Sequence, residues 1–181
     1  EQASKQKVLD YIQQIHCASE VPSRAGNWHD YLNMLCWQTF PQTRMAINGL
    51  QVDALKRQNH VERGRVRTAQ LDMLTHLDEC GVVVLSSAKD ILDGIRTFSW
   101  QKIFVEERAA FSNAVDVFIF GHGLYTQCLD PFIGLTGRCI LLECAPAFFT
   151  KPIKARVRQA DARLAQHLVC PQAPKSPKEL A

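Results

Sequence analysis

The chain has 181 residues, of which 46% are hydrophobic and 22% are charged, and its formal net charge is +3. This composition is typical of a globular protein with a buried core, and so mild a charge does not by itself call for nucleic acid. No apolar run reaches the roughly 18 residues of a membrane span, so we expect no membrane attachment. We expect one globular domain over residues 1–170 and an extended or flexible tail over 171–181.

The seven cysteines are odd in number and include no Cys-x-x-Cys pair. Disulfide frameworks usually have even counts and zinc sites have close pairs, so we interpret these residues as reduced structural thiols. Together with the lack of a signal peptide, this predicts a cytoplasmic protein. The chain starts at Glu1, inside a helical pattern and without a methionine, which predicts that an N-terminal part of the full protein is missing.

The N-terminal half is predicted to be helical. Apolar positions recur at helical spacing in four segments, and Pro41 separates the second from the third. The predicted helices cover residues 4–16, 28–40, 41–55 and 68–79. Residues 56–67 are polar and predict a loop.

Three short strands alternate with helices in the second half. The strands are predicted at residues 82–86, 115–121 and 139–143, and a last helix at 152–169. Strand–helix–strand order favours parallel pairing, so the fold class is α/β, mostly helical, with a small parallel three-stranded sheet behind a helical N-terminal half. Residues 115–121 are apolar on both faces, which predicts the central strand.

A histidine between two glycines, Gly121-His122-Gly123, follows that strand. Ligands of open α/β sheets bind beyond strand ends, and a helix starting there offers free N–H groups to an anion. The glycines would permit positive φ and a close backbone approach, and the imidazole could act as a base, a metal ligand or a donor. The alternative is that His122 only caps the helix.

The segment around His29 is the second candidate. His29, Asp30 and Asn33 lie near the start of a predicted helix whose polar face is flanked by aromatic residues. His29 and Asp30 could form a proton-transfer or metal-binding pair. Equally, both could simply complement the helix start through local hydrogen bonds and the helix dipole.

Two further features involve charged residues. Asp72, His76 and Glu79 share one helix face, a row that could ligate a metal but matches no specific zinc signature. Asp78 falls between inward-facing leucines and needs a buried partner, with Arg65 and Arg67 nearest in sequence. Basic residues also cluster in the predicted loop and on the last helix, at Lys56, Arg57, Arg63, Arg65, Arg67, Lys151, Lys154, Arg156, Arg158 and Arg163.

Three separated motifs stand out along the chain. They are R-x-x-N-W-H-D-Y-L-N-x-L-x-W-x-x-F-P-x-T-R at 24–44, L-D-E-C-G-V-V at 77–83, and F-G-H-G-L-Y with P-F-I-G-L-T-G-R within 120–138. Together they resemble a bacterial family designated domain of unknown function 3025. The resemblance covers roughly residues 10–145 and implies a bacterial, cytoplasmic protein that extends further at its N-terminus. It brings no established activity. Arg138 stands where the family has a lysine. The distinctive polar residues of the family match His29, Asp30, Asn33, Asp78, Glu79 and His122.

These features lead to three hypotheses. The first is a site for a small anionic molecule, with hydrolysis or transfer as its reaction. Its catalytic residues would be His122, His29 and Asp30, and its ligand-binding residues Gly121, Gly123, Asn33, Arg138 and Arg44. The sequence assigns no metal ligand and no cofactor. The second is a non-catalytic nucleic-acid or partner-binding module that uses the basic segments. The third is that the polar motifs form a buried structural network.

Overall fold

The computed structural model describes residues 2–18, 20–61 and 68–181, and only the backbone of residues 2–9 and 58–61. Eight α-helices and three strands are found within these ranges. Single turns of π-helix at Lys102–Glu106 and of 3-10 helix at Pro146–Phe148 and Pro177–Glu179 complete the elements. In chain order the main elements are α1 (Gln2–Ala18), α2 (Trp28–Thr39), α3 (Pro41–Val61), α4 (Ala69–Cys80), β1 (Gly81–Ser86), α5 (Lys89–Arg96), α6 (Arg108–Ala114), β2 (Val115–Ile119), α7 (His122–Gln127), β3 (Arg138–Glu143) and α8 (Ile153–Val169).

The N-terminal half is helical, as its apolar spacing predicts. The Phe40 N–H donates to the carbonyl of Cys36 to close α2, and Pro41 opens α3, where its missing N–H costs nothing. The expected end of α3 near Leu55 is wrong, because the helix continues to Val61. Lys56 and Arg57 are good helix formers, so a polar stretch that resembles a loop extends the helix instead.

The sheet has the strand order β2-β1-β3, and the α/β class with a small three-stranded sheet is confirmed. β1 and β3 pair in parallel as expected, whereas β2 runs antiparallel to β1. The expected central position of residues 115–121 is therefore wrong, since β1 is central. The chain returns to the end of β1 before β2 begins: Val115 pairs with Ser86 and Ser87 N donates to the Ala114 carbonyl at 3.1 Å, so β2 runs back along β1.

Helices cover both faces of the sheet. Val83 and Leu85 of β1 point towards α3, α4 and α8, in a core that includes Phe120 and Leu164. Val82 and Val84 point the other way, towards Leu92 of α5 and Leu124 of α7. This alternation leaves every residue of β1 buried, which explains its uninterrupted apolar sequence.

The antiparallel course of β2 decides where α7 begins. The carboxyl end of β2 lies beside the amino end of β1, where α4 has just finished. Phe120 N and Gly121 N both donate to the carbonyl of Gly81 at 3.0 Å, which fixes this junction. The first turn of α7 therefore lies against the last turn of α4.

The last residues of the chain run beside β3. Ala181 and Cys139 exchange two backbone hydrogen bonds, of 2.8 and 3.1 Å. Of the helices in the described ranges, none has both the length and the apolar character that crossing a membrane requires.

Candidate functional site

His29 and His122 are brought into direct contact. The Nε2 atoms of the two imidazoles are 3.0 Å apart, and the ring centroids are 4.5 Å apart. His29 is the second residue of α2 and His122 the first of α7, two helices whose histidines are 93 residues apart in sequence. The starts of the two helices thus converge, and we call His29 and His122 the histidine pair.

The glycines on either side of His122 allow this close approach. A Cβ atom on Gly121 would lie 2.2 Å from the backbone nitrogen of Gly81. One on Gly123 would lie 2.3 Å from the Oε2 atom of Glu79. The expected positive φ is not found, since Gly121 has φ −82°. The glycines therefore make room for α4 rather than for an unusual backbone conformation.

The start of α7 faces a carboxylate of the protein itself. Glu79 reaches the space beside Gly123, and its Oε2 atom lies 3.6 Å from Nε2 of His122. An anion was expected at this helix end. The structure places the Glu79 side chain there, which is 43% exposed.

The tautomer of His122 follows from its partner on α4. Its Nδ1 atom lies 2.9 Å from the backbone carbonyl oxygen of Asp78. A carbonyl oxygen only accepts, so Nδ1 carries the proton and donates it. Nε2 of the neutral ring then has a lone pair directed at His29. Burial lowers the pKa of His122, against the opposing effect of the Asp78 carboxylate, and so favours this neutral form.

The other ring nitrogen of His29 lies beside Thr126 on α7. The Thr126 hydroxyl donates to the carbonyl oxygen of His122 at 3.3 Å, and its oxygen lies 3.4 Å from Nδ1 of His29. A His29 ring with its proton on Nε2 donates to the lone pair of His122, which makes the 3.0 Å contact a hydrogen bond between the two imidazoles. With its proton on Nδ1 instead, His29 would donate to Thr126 and direct its Nε2 lone pair towards His122.

A buried polar network supports the histidine pair from below. Arg44, with only 1% of its side chain exposed, lies 2.6 Å from the Asp78 carboxylate and donates to the Asp78 carbonyl at 3.0 Å. It also donates to Oδ1 of Asn33 at 2.6 Å, and Nδ2 of Asn33 donates to the hydroxyl of Tyr11 at 2.8 Å. Burial raises the pKa of Tyr11. Asp78 finds its buried partner in Arg44, and the sequence neighbours Arg65 and Arg67 lie outside the described residues.

The Asp30 carboxylate is bound by Arg24. Both oxygens of its carboxylate accept from Arg24, at 2.7 and 2.9 Å, and its backbone N–H donates to Asn27. The hydrogen bonds from Arg24 lower the pKa of Asp30 to about 2. Asp30 therefore fastens the start of α2, which is the structural alternative considered from the sequence, while His29 beside it turns towards His122.

Arg44 and Arg138, the two arginines expected to bind an anion, differ in burial and in their partners. Arg44 is buried and its charge is paired with Asp78, as described above. Arg138 is exposed at the start of β3, opposite Gly81 in the sheet register. Its positive charge is felt by the thiol of Cys80, where burial raises the pKa and Arg138 opposes that rise.

The expected row of Asp72, His76 and Glu79 does not form a cluster of metal ligands among the described residues. Glu79 turns towards His122, whereas His76 is exposed. From the sequence, Glu79 was considered only in that row and in the family motif, and Thr126 was not considered. Glu79 lies in a motif of the family resemblance, but a lone threonine four residues after His122 carries no sequence signal of its own.

The basic segments are partly engaged within the chain. Arg156 forms an ion pair with Asp116 at 2.6 Å, and Lys151 donates to Gln159. Arg163 donates to the Glu143 carbonyl. Arg63, Arg65 and Arg67 lie outside the described residues.

Three candidate metal ligands lie together at the pair. The ligand atoms of His29, Glu79 and His122 are all within 4.8 Å of one another. Two imidazoles and a carboxylate are donors that divalent transition metals accept. The same groups can hold or move a proton, so the arrangement suits either a metal or proton-transfer chemistry.

A family model described as "Protein of unknown function (DUF3025)" matches residues 1–181. The chain belongs to this family. The match agrees with the resemblance carried by the three sequence motifs, and it covers the histidine pair, Asp78 and Glu79 together. No curated protein and no solved structure is significantly similar to the chain.

Proposed function

We propose that this DUF3025 protein binds a small anionic molecule at the histidine pair and catalyses its hydrolysis or transfer. The observation that supports the proposal is the 3.0 Å contact between the Nε2 atoms of His29 and His122. Helices α2 and α7 place these two reactive nitrogens at one point, beside Glu79, which is part-exposed and so gives access from solvent. His29, His122 and Glu79 would contact the reacting group.

The buried network gives the site its rigidity in this proposal. Arg44, Asn33 and Tyr11 are positioning residues that hold α2, α3 and α4 in one arrangement. Groups fixed in this way lower the cost of reaching a reactive geometry, because their entropy is lost on folding rather than on binding. The hypothesis of a buried structural network thus applies to Arg44, Asn33 and Tyr11. In this proposal the histidine pair, which they support, takes part in the reaction.

An anionic ligand also requires a positive charge at the site. Arg44 is paired, and among the described residues no lysine or arginine lies within ion-pair distance of Glu79. In this proposal the positive charge comes from Arg138 or from a cation between the histidines. A bacterial, cytoplasmic setting is part of the proposal, consistent with the seven free thiols.

The proposal is tested with a panel of small phosphate and carboxylate esters. We expect the wild-type protein to accelerate hydrolysis of at least one of them. His29→Ala and His122→Ala should each lower that rate by about 100-fold or more, as is usual when a positioned acid–base or ligand group is lost. His76→Ala is the matched control, because His76 is exposed on α4 away from the pair. A reaction that both site variants retain would contradict the proposal.

A further inference from the structure

We propose that His29, Glu79 and His122 bind one divalent transition-metal ion and leave part of its coordination open. The inference rests on the proposed function, since it names the cofactor of that same site. It also gives the site the positive charge that an anionic ligand needs.

The separations of the ligand atoms suit a shared ion. Two atoms that are each about 2.1 Å from one metal are about 3.0 Å apart at a right angle and about 3.4 Å apart at a tetrahedral angle. The Nε2–Nε2 separation is 3.0 Å, and Nε2 of His122 lies 3.6 Å from Oε2 of Glu79. The Glu79 side chain is 43% exposed, so it has the freedom to close the remaining distance.

The direction of the His122 lone pair is a separate observation. Nδ1 of His122 donates to the Asp78 carbonyl, so the lone pair of its Nε2 atom points at Nε2 of His29, 3.0 Å away. When His29 carries its proton on Nδ1, beside the Thr126 hydroxyl, its own Nε2 lone pair points at the same place. A cation bound by both lone pairs takes the place of the proton that His29 otherwise donates to His122.

The partners of the Nδ1 atoms resemble those around metal-bound histidines. Such histidines usually donate their other N–H to a carbonyl, a carboxylate or another polar group, which fixes the ring and makes it a better ligand. His122 has the Asp78 carbonyl at 2.9 Å and the Asp78 carboxylate at 3.8 Å. His29 has the hydroxyl of Thr126, which is itself fixed by the carbonyl of His122.

The number of ligands indicates the kind of metal site. Structural zinc sites are closed by four protein ligands, whereas catalytic sites keep three and leave a position for water or substrate. Within the described residues the cluster has three members, two imidazoles and one carboxylate. Imidazole suits zinc, copper, iron and nickel better than magnesium and calcium. We therefore assign a first-row transition metal with an open position at which an anion can bind.

The test is a titration of chelator-treated protein with Co²⁺, and separately with Zn²⁺, in the presence of a non-thiol reductant. We expect one equivalent of Co²⁺ to bind with a visible absorption band. Glu79→Gln and His122→Ala should weaken binding by about 100-fold or more, beyond the 10- to 100-fold that is typical for loss of an outer partner. Circular dichroism checks that each variant is folded. If His122→Ala does not fold, Glu79→Gln still tests the inference, because it keeps the shape of the side chain and removes only the charge.

Four further variants, at three positions, separate the site from other metal-binding groups. Thr126→Val removes the acceptor for Nδ1 of His29 and should weaken binding by about 10-fold, whereas Thr126→Ser should restore it. His76→Ala and Cys80→Ser lie on the same helix as Glu79 and should leave the affinity unchanged. Binding that is lost in Cys80→Ser but kept in Glu79→Gln would show a thiol site and overturn the inference.

The titration contains no substrate, so its outcome is independent of the proposed reaction. If wild-type protein binds neither metal but His29→Ala still loses ester hydrolysis, the metal inference is overturned and the proposed function stands. If metal binds as described but no ester is hydrolysed, the proposed function fails and the metal site stands.

Discussion

Arg44 and Asp78 form an ion pair of 2.6 Å in which the arginine side chain is 1% exposed and the aspartate side chain 22%. The pair joins α3 to α4 directly beneath the histidine pair, because Asp78 also supplies the carbonyl that fixes His122. The position of the site therefore depends on a buried charge, and this dependence can be measured.

Replacing Arg44 should destabilise the fold strongly. Arg44→Ala leaves the Asp78 carboxylate without its partner, and breaking a buried pair costs about 3–5 kcal/mol. Arg44→Lys should recover little of this, because an ammonium group cannot bind Asp78 and Asn33 in the same fork. Urea unfolding gives the free energy. Arg96→Ala is the control, since its ion pair with Asp93 is half exposed and should cost less than about 1 kcal/mol. Equal losses for Arg44→Ala and Arg96→Ala would contradict the buried role.

The two glycines beside His122 should respond differently to alanine. In Gly121→Ala the new methyl group meets the backbone of Gly81 at 2.2 Å, which cannot move aside, so we expect a loss of about 1–3 kcal/mol or more. In Gly123→Ala the nearest contact is the end of the Glu79 side chain, which can rotate away, and the next is the Glu79 carbonyl oxygen at 3.1 Å, which has to yield slightly. That variant should lose less stability than Gly121→Ala but lose metal affinity. Thermal melting and Co²⁺ titration on both variants provide the comparison.

Gly49 gives the matched control for these substitutions. It lies inside α3, and a methyl group added there would meet no atom within 4 Å, so Gly49→Ala should stabilise the protein by about 0.4–1 kcal/mol. If Gly49→Ala gains stability and Gly121→Ala loses it, the loss at Gly121 comes from steric contact and not from a general effect of replacing glycine with alanine. Similar effects at both positions would contradict the close packing of α7 on α4.

Acid should weaken the fold through His122. Burial lowers the pKa of His122 in the folded state below its ordinary value of 6.5. Between the two pKa values the unfolded chain binds more protons, so stability is lost as the pH falls below about 6.5, at no more than about 1.4 kcal/mol per pH unit. Urea unfolding of metal-free protein between pH 7.5 and 5 measures this slope. His122→Gln should have a smaller slope, and His76→Gln should match the wild type. A wild-type slope retained in His122→Gln would show that another group titrates.

Asp30 should matter for the start of α2 and not for the site. Its carboxylate is fully engaged by Arg24, so Asp30→Asn should leave Co²⁺ affinity within about 2-fold of the wild type. Its stability should fall modestly, because the charged hydrogen bonds to Arg24 weaken and Arg24 is largely solvent-exposed. A loss of metal or ester hydrolysis comparable to that of His122→Ala would return Asp30 to the catalytic set.

The sequence predicts the helices and strands well, because their signals are local. Pro41, the Asn27 cap and the β-branched run of β1 each act within a few residues. The direction of β2 is different, because it depends on where the chain lies after α6, and only the pairing of Val115 with Ser86 in the structure reveals this. The apolar sequence of residues 115–121 is equally compatible with a half-buried edge strand.

The candidate site is predictable only in part, because only some of its residues have a local sequence signal. His122 stands out because two glycines flank it, and His29 because its helix start has an unusual polar face. Their contact, and the arrival of Glu79, depend on the packing of α2 and α4 on α7. Arg44 was expected to bind an anion, yet the fold uses its charge for Asp78, a pairing across 34 residues that no local pattern signals.

The central claim is that Nε2 of His29 and Nε2 of His122 bind the same cation. Two-bond ¹H–¹⁵N correlation spectra of the imidazoles, recorded near neutral pH before and after addition of one equivalent of Zn²⁺, test it most directly. The account predicts that His122 carries its proton on Nδ1 throughout, that both Nε2 signals shift when Zn²⁺ is added, and that His29 then also carries its proton on Nδ1. Nε2 signals that Zn²⁺ leaves unmoved would contradict the account, because the contact would then be only a hydrogen bond between two histidines.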